Sequence, residues 1–128
     1  MDLPPKNSLL FVYGTLQRGG KYHDLMKRAE AVWIAEGRLA SRYPLLLAAY
    51  PCLLDQPGSG FHVHGELYRL PGPETWVSID ALENHPHEYR RRPEDIITAK
   101  GTFAAWTYFY IRDDLDTAGL VPVERFQP

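Results

Sequence analysis

The 128-residue sequence predicts an α+β domain made mainly of short strands, with two short helices. Three observations carry that expectation. Eleven prolines and ten glycines divide the chain into segments too short for long helices. Residues 61–70 alternate, with Phe61, Val63, Gly65 and Leu67 on one side and His62, His64, Glu66 and Tyr68 on the other, the period of a strand. Residues 8–13 carry an apolar run closed by Gly14, which reads as a strand buried on both faces and ended by a tight turn.

The remaining elements follow in order. Tyr22, Leu25 and Met26 recur at helical spacing, so residues 21–28 are expected as a short helix. Residues 33–39 and 42–47 read as strands, and residues 51–60 as an irregular loop rich in proline and glycine. After the strand at 61–70, Gly72-Pro73-Glu74 places a proline in the first turn of a helix and an acid beside its positive end. That helix is expected to run to about Glu83 or Asn84. Residues 96–99 and 102–111, β-branched and aromatic and parted by Lys100-Gly101, predict a hairpin. Residues 119–128 read as an extended tail. No internal repeat, low-complexity tract or linker interrupts the sequence, and its length fits one domain.

Composition narrows the function. With 45% apolar and 23% charged residues the chain can bury an ordinary core. Fourteen Lys and Arg against sixteen Asp and Glu leave a net charge of −2, and only Arg90, Arg91 and Arg92 cluster, so nucleic acid is not expected as a partner. The longest apolar stretch, residues 43–54, is broken by Pro44 and Pro51 and falls short of a membrane span, which takes roughly 18 residues. The apolar run near the N-terminus is too short for a secretory signal. The lone Cys52 cannot form an intrachain disulfide, which fits a reducing, cytoplasmic setting. Oligomeric state is left open.

Three features bear chemistry. In the second helix Trp76, Ile79 and Glu83 share a face, with Leu82 beside them, so a carboxylate is placed on the inward side. Glu83 either ends the helix in solvent, is neutralised, pairs with His87 or a nearby arginine, or is held in a pocket where a raised pKa makes it a proton carrier. The strand end Tyr13-Gly14-Thr15-Leu16 runs into Gln17-Arg18-Gly19-Gly20, a turn whose N–H groups suit a small carboxylate, or a plain turn needing glycine for its backbone angles. It lacks the residues of a nucleotide-binding phosphate loop. His62 and His64 share a strand face and invite a metal, but their spacing to an acid differs from that of barrel metal sites. Cys52, between Pro51 and Leu53, reads as a buried, inert thiol.

Phe11-Val12-Tyr13-Gly14-Thr15-Leu16 with Gln17-Arg18-Gly19, Tyr43-Pro44-Leu45, Pro57-Gly58-Ser59-Gly60, Val63-His64-Gly65-Glu66-Leu67-Tyr68, Ile79-Asp80-Ala81-Leu82-Glu83 and Tyr89-Arg90-Arg91 stand in a fixed order. Together they resemble the γ-glutamylcyclotransferase-like (AIG2-like) family, and within it the motifs are similar to those of γ-glutamylamine cyclotransferases. The resemblance implies a small mixed β-barrel of five or six strands flanked by short helices. It implies release of 5-oxoproline from a γ-glutamyl amine or amino acid, with no cofactor and no metal. It assigns catalysis to Glu83 and substrate binding to Tyr13, Gly14, Thr15, Leu16, Tyr89 and Arg91. Asn84 stands where many members have glycine, and asparagine tolerates the same left-handed backbone. Beyond Ile111, with Asp113, Asp114 and Asp116, no family motif is matched. Two other readings remain: a non-catalytic module binding a small carboxylate or a partner protein on this fold, and a metal-dependent barrel enzyme using His62 and His64.

Overall fold

Alternation within the first strand organises the molecule. The computed structural model describes residues 2–128, and β1 (Ser8–Val12) lies between β5 (His64–Leu70), antiparallel, and β7 (Gly101–Tyr110), parallel. Leu10 and Val12 pack with Met26, Trp76 and Ile79 of the helices, whereas Phe11 and Tyr13 pack with Leu39, Leu67, Ile96 and Phe109. Both faces of β1 are therefore covered, which explains its unbroken apolar run. With β2 (Val32–Leu39) and β6 (Tyr89–Thr98) these strands close a barrel in the order β1-β5-β2-β6-β7. The remaining elements are α1 (His23–Arg28), α2 (Glu74–Leu82) and a two-stranded β3 (Leu45–Leu47) and β4 (Pro51–Leu53). The expected mixed barrel with short helices is the fold observed. Among the described residues no helix is long and apolar enough to cross a membrane.

One glycine is essential to the closure. A Cβ on Gly65 would stand 2.2 Å from the carbonyl oxygen of Val12, so only glycine lets β5 pass this close to the end of β1.

Several boundaries differ from the sequence reading. The strand expected over 42–47 shortens to β3, and the loop expected over 51–60 begins instead with β4, whose Leu53, Cys52 and Pro51 pair with Leu45, Leu46 and Leu47. Leu45, Leu46, Cys52 and Leu53 are all buried, and pairing them satisfies backbone groups that a loop would strand away from water. The strand expected over 61–70 starts at His64, because Phe61 instead forms an isolated bridge with Tyr43. The hairpin is confirmed, but its first strand reaches back to Tyr89 through three arginines and Pro93. Pro93 is tolerated because β2 pairs only with Ile96, Ile97 and Thr98 of β6, leaving that stretch an edge. The tail is not free: the Val123 N–H donates to the Leu45 carbonyl at 3.0 Å.

Candidate active site

Helix α2 buries Trp76 and Ile79 completely and delivers Glu83, its C-terminal cap, to a cavity of about 370 Å³. Directly after it Asn84 adopts φ 50°, so asparagine makes the left-handed turn that sends the chain toward β6. Three segments wall the cavity: the turn after β1 from Tyr13 to Leu16, the β3–β4 connection from Leu47 to Pro51, and the link from α2 to β6 with Leu82, Glu83, Glu88 and Tyr89. Tyr108 and Phe126 complete it, with Lys21 and Tyr22 beside the turn.

Among the described residues the Glu83 carboxylate makes no hydrogen bond and no ion pair, and neither His87 nor an arginine meets it. Burial, with smaller contributions from the negative charges of Glu88 and Asp80, pushes its pKa up from the ordinary 4.5 to about 7. An acid in that state takes and returns a proton near neutrality.

The turn supplies complementary donors. The N–H groups of Gly14, Thr15 and Leu16 donate to no acceptor among the described residues, whereas those of Gln17 and Gly20 close the turn onto the carbonyls of Gly14 and Gln17. Glu66 braces it from β5: its carboxylate accepts the Arg18 N–H at 3.0 Å, the Arg18 Nε–H at 3.2 Å and the Tyr68 hydroxyl at 2.9 Å. His23 Nδ1 lies 2.9 Å from the Leu16 carbonyl oxygen. Gly14 itself does not need a left-handed backbone. Its constraint is proximity, since a Cβ there would lie 3.3 Å from the Pro51 ring.

The structure brings Glu83, Tyr13, Gly14, Thr15, Leu16 and Tyr89 to one cavity. The Tyr13 hydroxyl donates to the Tyr108 carbonyl at 2.6 Å and the Tyr89 hydroxyl to the Pro51 carbonyl at 2.7 Å. Burial raises both phenol pKa values, so these rings frame the space as neutral groups.

Arg91, expected to contact substrate, does not line the cavity. It is buried against Asp80, donating from Nε and Nη2 at 2.9 Å each and from Nη2 to the Asp2 carbonyl at 2.8 Å. It shares a face of β6 with the cavity-lining Tyr89 but stands two residues further along the strand, where its guanidinium meets Asp80 of helix α2.

Glu88, Tyr50, Tyr108 and Phe126 are lining residues that sequence reasoning did not single out. Tyr50 donates its hydroxyl to Glu88, linking the β3–β4 connection to the segment after α2. Glu88 lies five residues after Glu83, but no periodicity marks it, and Phe126 sits in a tail without pattern. The histidines do not converge: His62 Nδ1 is 3.1 Å from the Leu39 carbonyl oxygen, and His64 pairs with Glu124 at 3.0 Å. Among the described residues no group of three or more His, Cys, Asp or Glu side chains is placed to hold a metal ion. Cys52 is fully buried, and burial raises its thiol pKa, which leaves it protonated.

The five-stranded barrel thus brings a carboxylate with a raised pKa and the turn from Tyr13 to Leu16 to one cavity. The chain belongs to the gamma-glutamyl cyclotransferase, AIG2-like family, which it matches over residues 10–126. It is 38% identical over 90 residues to the human gamma-glutamylaminecyclotransferase, covering 66% of this chain and 58% of that one. To gamma-glutamylaminecyclotransferase A of Danio rerio it is 35% identical over 98 residues, covering 72% of this chain and 60% of the other. It therefore spans about three-fifths of the length of these two relatives. The crystal structure of a mouse AIG2-like protein superposes with a TM-score of 0.88 at 25% identity, covering 95% of this chain and 89% of the mouse chain.

Proposed function

We propose that the protein cyclises γ-glutamyl amines or amino acids to 5-oxoproline, with Glu83 as the proton carrier. The reading rests on one observation: an unpaired carboxylate tuned to about 7 shares a cavity with three main-chain amides that have no partner. The family and the names of the relatives support the reaction type, and the particular leaving amine is the finer part of the proposal.

A γ-glutamyl amide carries its own nucleophile. Glu83 takes a proton from the α-ammonium, and the freed amine attacks the γ-carbonyl carbon to form the ring C–N bond. The oxyanion that develops needs donors fixed before the reaction, and the amides of Gly14, Thr15 and Leu16 are available for it or for the α-carboxylate. Breaking the old C–N bond requires a proton on the departing nitrogen, which Glu83 returns. Two protons leave the attacking nitrogen and two reach the departing amine, so 5-oxoproline leaves as the carboxylate and the amine as the ammonium. Tyr13 and Tyr89, braced by their own hydrogen bonds, limit the space so that the glutamyl chain is held curled, the conformation in which attack is intramolecular. Neither a cofactor nor an activated water enters these steps.

The test is 5-oxoproline release from a panel of γ-glutamyl-lysine, γ-glutamyl-alanine and glutathione, with Glu83→Gln as control. Turnover by the wild type and its loss in the variant support the reading. Binding of these compounds with no turnover of any of them overturns it in favour of a non-catalytic module.

A further inference from the structure

Gln17 joins two parts of the chain that the sequence keeps more than a hundred residues apart. Its side-chain amide donates to the Gly14 carbonyl at 3.2 Å and to the Phe126 carbonyl at 3.1 Å, so the amide-bearing turn and the tail are held by one group. The tail is fastened at three further points. Val123 N–H donates to the Leu45 carbonyl, and His64 N–H donates to the Glu124 carbonyl at 2.9 Å. The His64 ring lies between Glu124, with Nε2 to Oε1 at 3.0 Å, and Arg125, with Nη2 to Nδ1 at 3.0 Å. These fastenings hold Phe126 where it lines the cavity beside the turn and packs against the apolar cluster of Phe11 and Tyr13.

We propose that Phe126 is a substrate-positioning residue of the glutamyl end of the site, held there by Gln17 and the His64 clamp. The inference rests on the cyclotransferase reading and extends it to a segment without any recognisable motif. A flexible three-carbon chain must curl to bring its amine onto its own carbonyl, and a rigid ring beside the turn whose amides are available to its glutamyl end restricts the extended conformers. Because Phe126 is tied to Gly14 and not to the Tyr50–Glu88 side, it acts on the part that every γ-glutamyl substrate shares.

Two measurements test this on Phe126→Ala and on His64→Ala, which releases the ring clamp but keeps the phenylalanine. Calorimetry reports the affinity for 5-oxoproline, and steady-state kinetics report kcat/KM for γ-glutamyl-alanine and γ-glutamyl-lysine. Phe126→Ala is expected to lower kcat/KM about tenfold for both substrates equally and to weaken 5-oxoproline binding about as much, with Phe126→Leu recovering part of the loss; His64→Ala is expected to show a smaller loss of the same kind. Unchanged kcat/KM and 5-oxoproline affinity in Phe126→Ala overturn the inference while leaving the activity assignment intact. A loss that grows with the size of the leaving amine also overturns it, by placing Phe126 at the other end. If the wild type neither turns over a γ-glutamyl compound nor binds 5-oxoproline, the function reading fails and this inference falls with it.

Discussion

The guanidinium of Arg91 grips the carboxylate of Asp80 with two parallel hydrogen bonds of 2.9 Å, tying β6 to the last turn of the helix that ends at Glu83. Tyr108 donates its hydroxyl to the same carboxylate, so a barrel strand that lines the cavity holds the helix as well. The group that the family resemblance assigned to substrate is thus engaged in holding the helix that carries Glu83 at its end. Arg91→Met leaves Asp80 buried without its cation and is expected to cost about 3–5 kcal/mol of stability, whereas the paired change with Asp80→Asn is expected to recover much of it. Chemical denaturation of both variants beside the wild type checks this.

Glu83→Gln keeps the shape of the side chain and removes its proton. The rate of 5-oxoproline formation is expected to drop by roughly 10²–10⁴, with the circular dichroism spectrum unchanged.

In the proposed mechanism the base form of Glu83 starts the reaction, so kcat/KM is expected to rise with pH along a limb centred near 7. The negative charge of Glu88 helps hold that value up. Glu88→Gln is therefore expected to move the limb to lower pH, read from the pH profile of each protein.

The same shift has a stability consequence. Glu83 titrates near 7 when folded against 4.5 ordinarily, so between these values the native state binds more protons than the unfolded chain. Stability contributed by this group is present below 4.5 and is lost as pH rises through the window to 7. Glu83→Gln should accordingly match the wild type at pH 4 and exceed it at pH 8, by up to about 3 kcal/mol. Thermal unfolding at the two pH values distinguishes the outcomes, and a variant less stable at pH 8 contradicts the burial of an unpaired carboxylate.

Gly65→Ala would force β5 away from the Val12 carbonyl. A loss of about 3 kcal/mol or more is expected, with the barrel seam between β1 and β5 exchanging its amide hydrogens faster than in the wild type.

Local pattern made several elements legible. The apolar run of β1, the proline start of α2 and the aromatic content of β7 depend on neighbours only a few residues away, and their positions agree with the sequence reading. The inward face of α2 likewise marked Glu83 from spacing alone, and the family motifs marked the turn at Tyr13 to Leu16. Residues whose state depends on distant partners were not legible. Pro51 to Leu53 reads as loop until Leu45 to Leu47 arrive to pair with it, and the charged stretch from Arg90 to Glu94, outside the expected hairpin, becomes strand only where β7 lies alongside.

The sequence by itself determined that a carboxylate would sit among apolar neighbours at the end of a short helix, because helical periodicity is set within one or two turns. Only the tertiary structure decided that this carboxylate meets no counter-ion among the described residues, that Arg91 is committed to Asp80, and that Phe126 lines the cavity beside the turn. Burial and pairing are properties of surfaces brought together from across the chain, and no local pattern encodes which surfaces will meet.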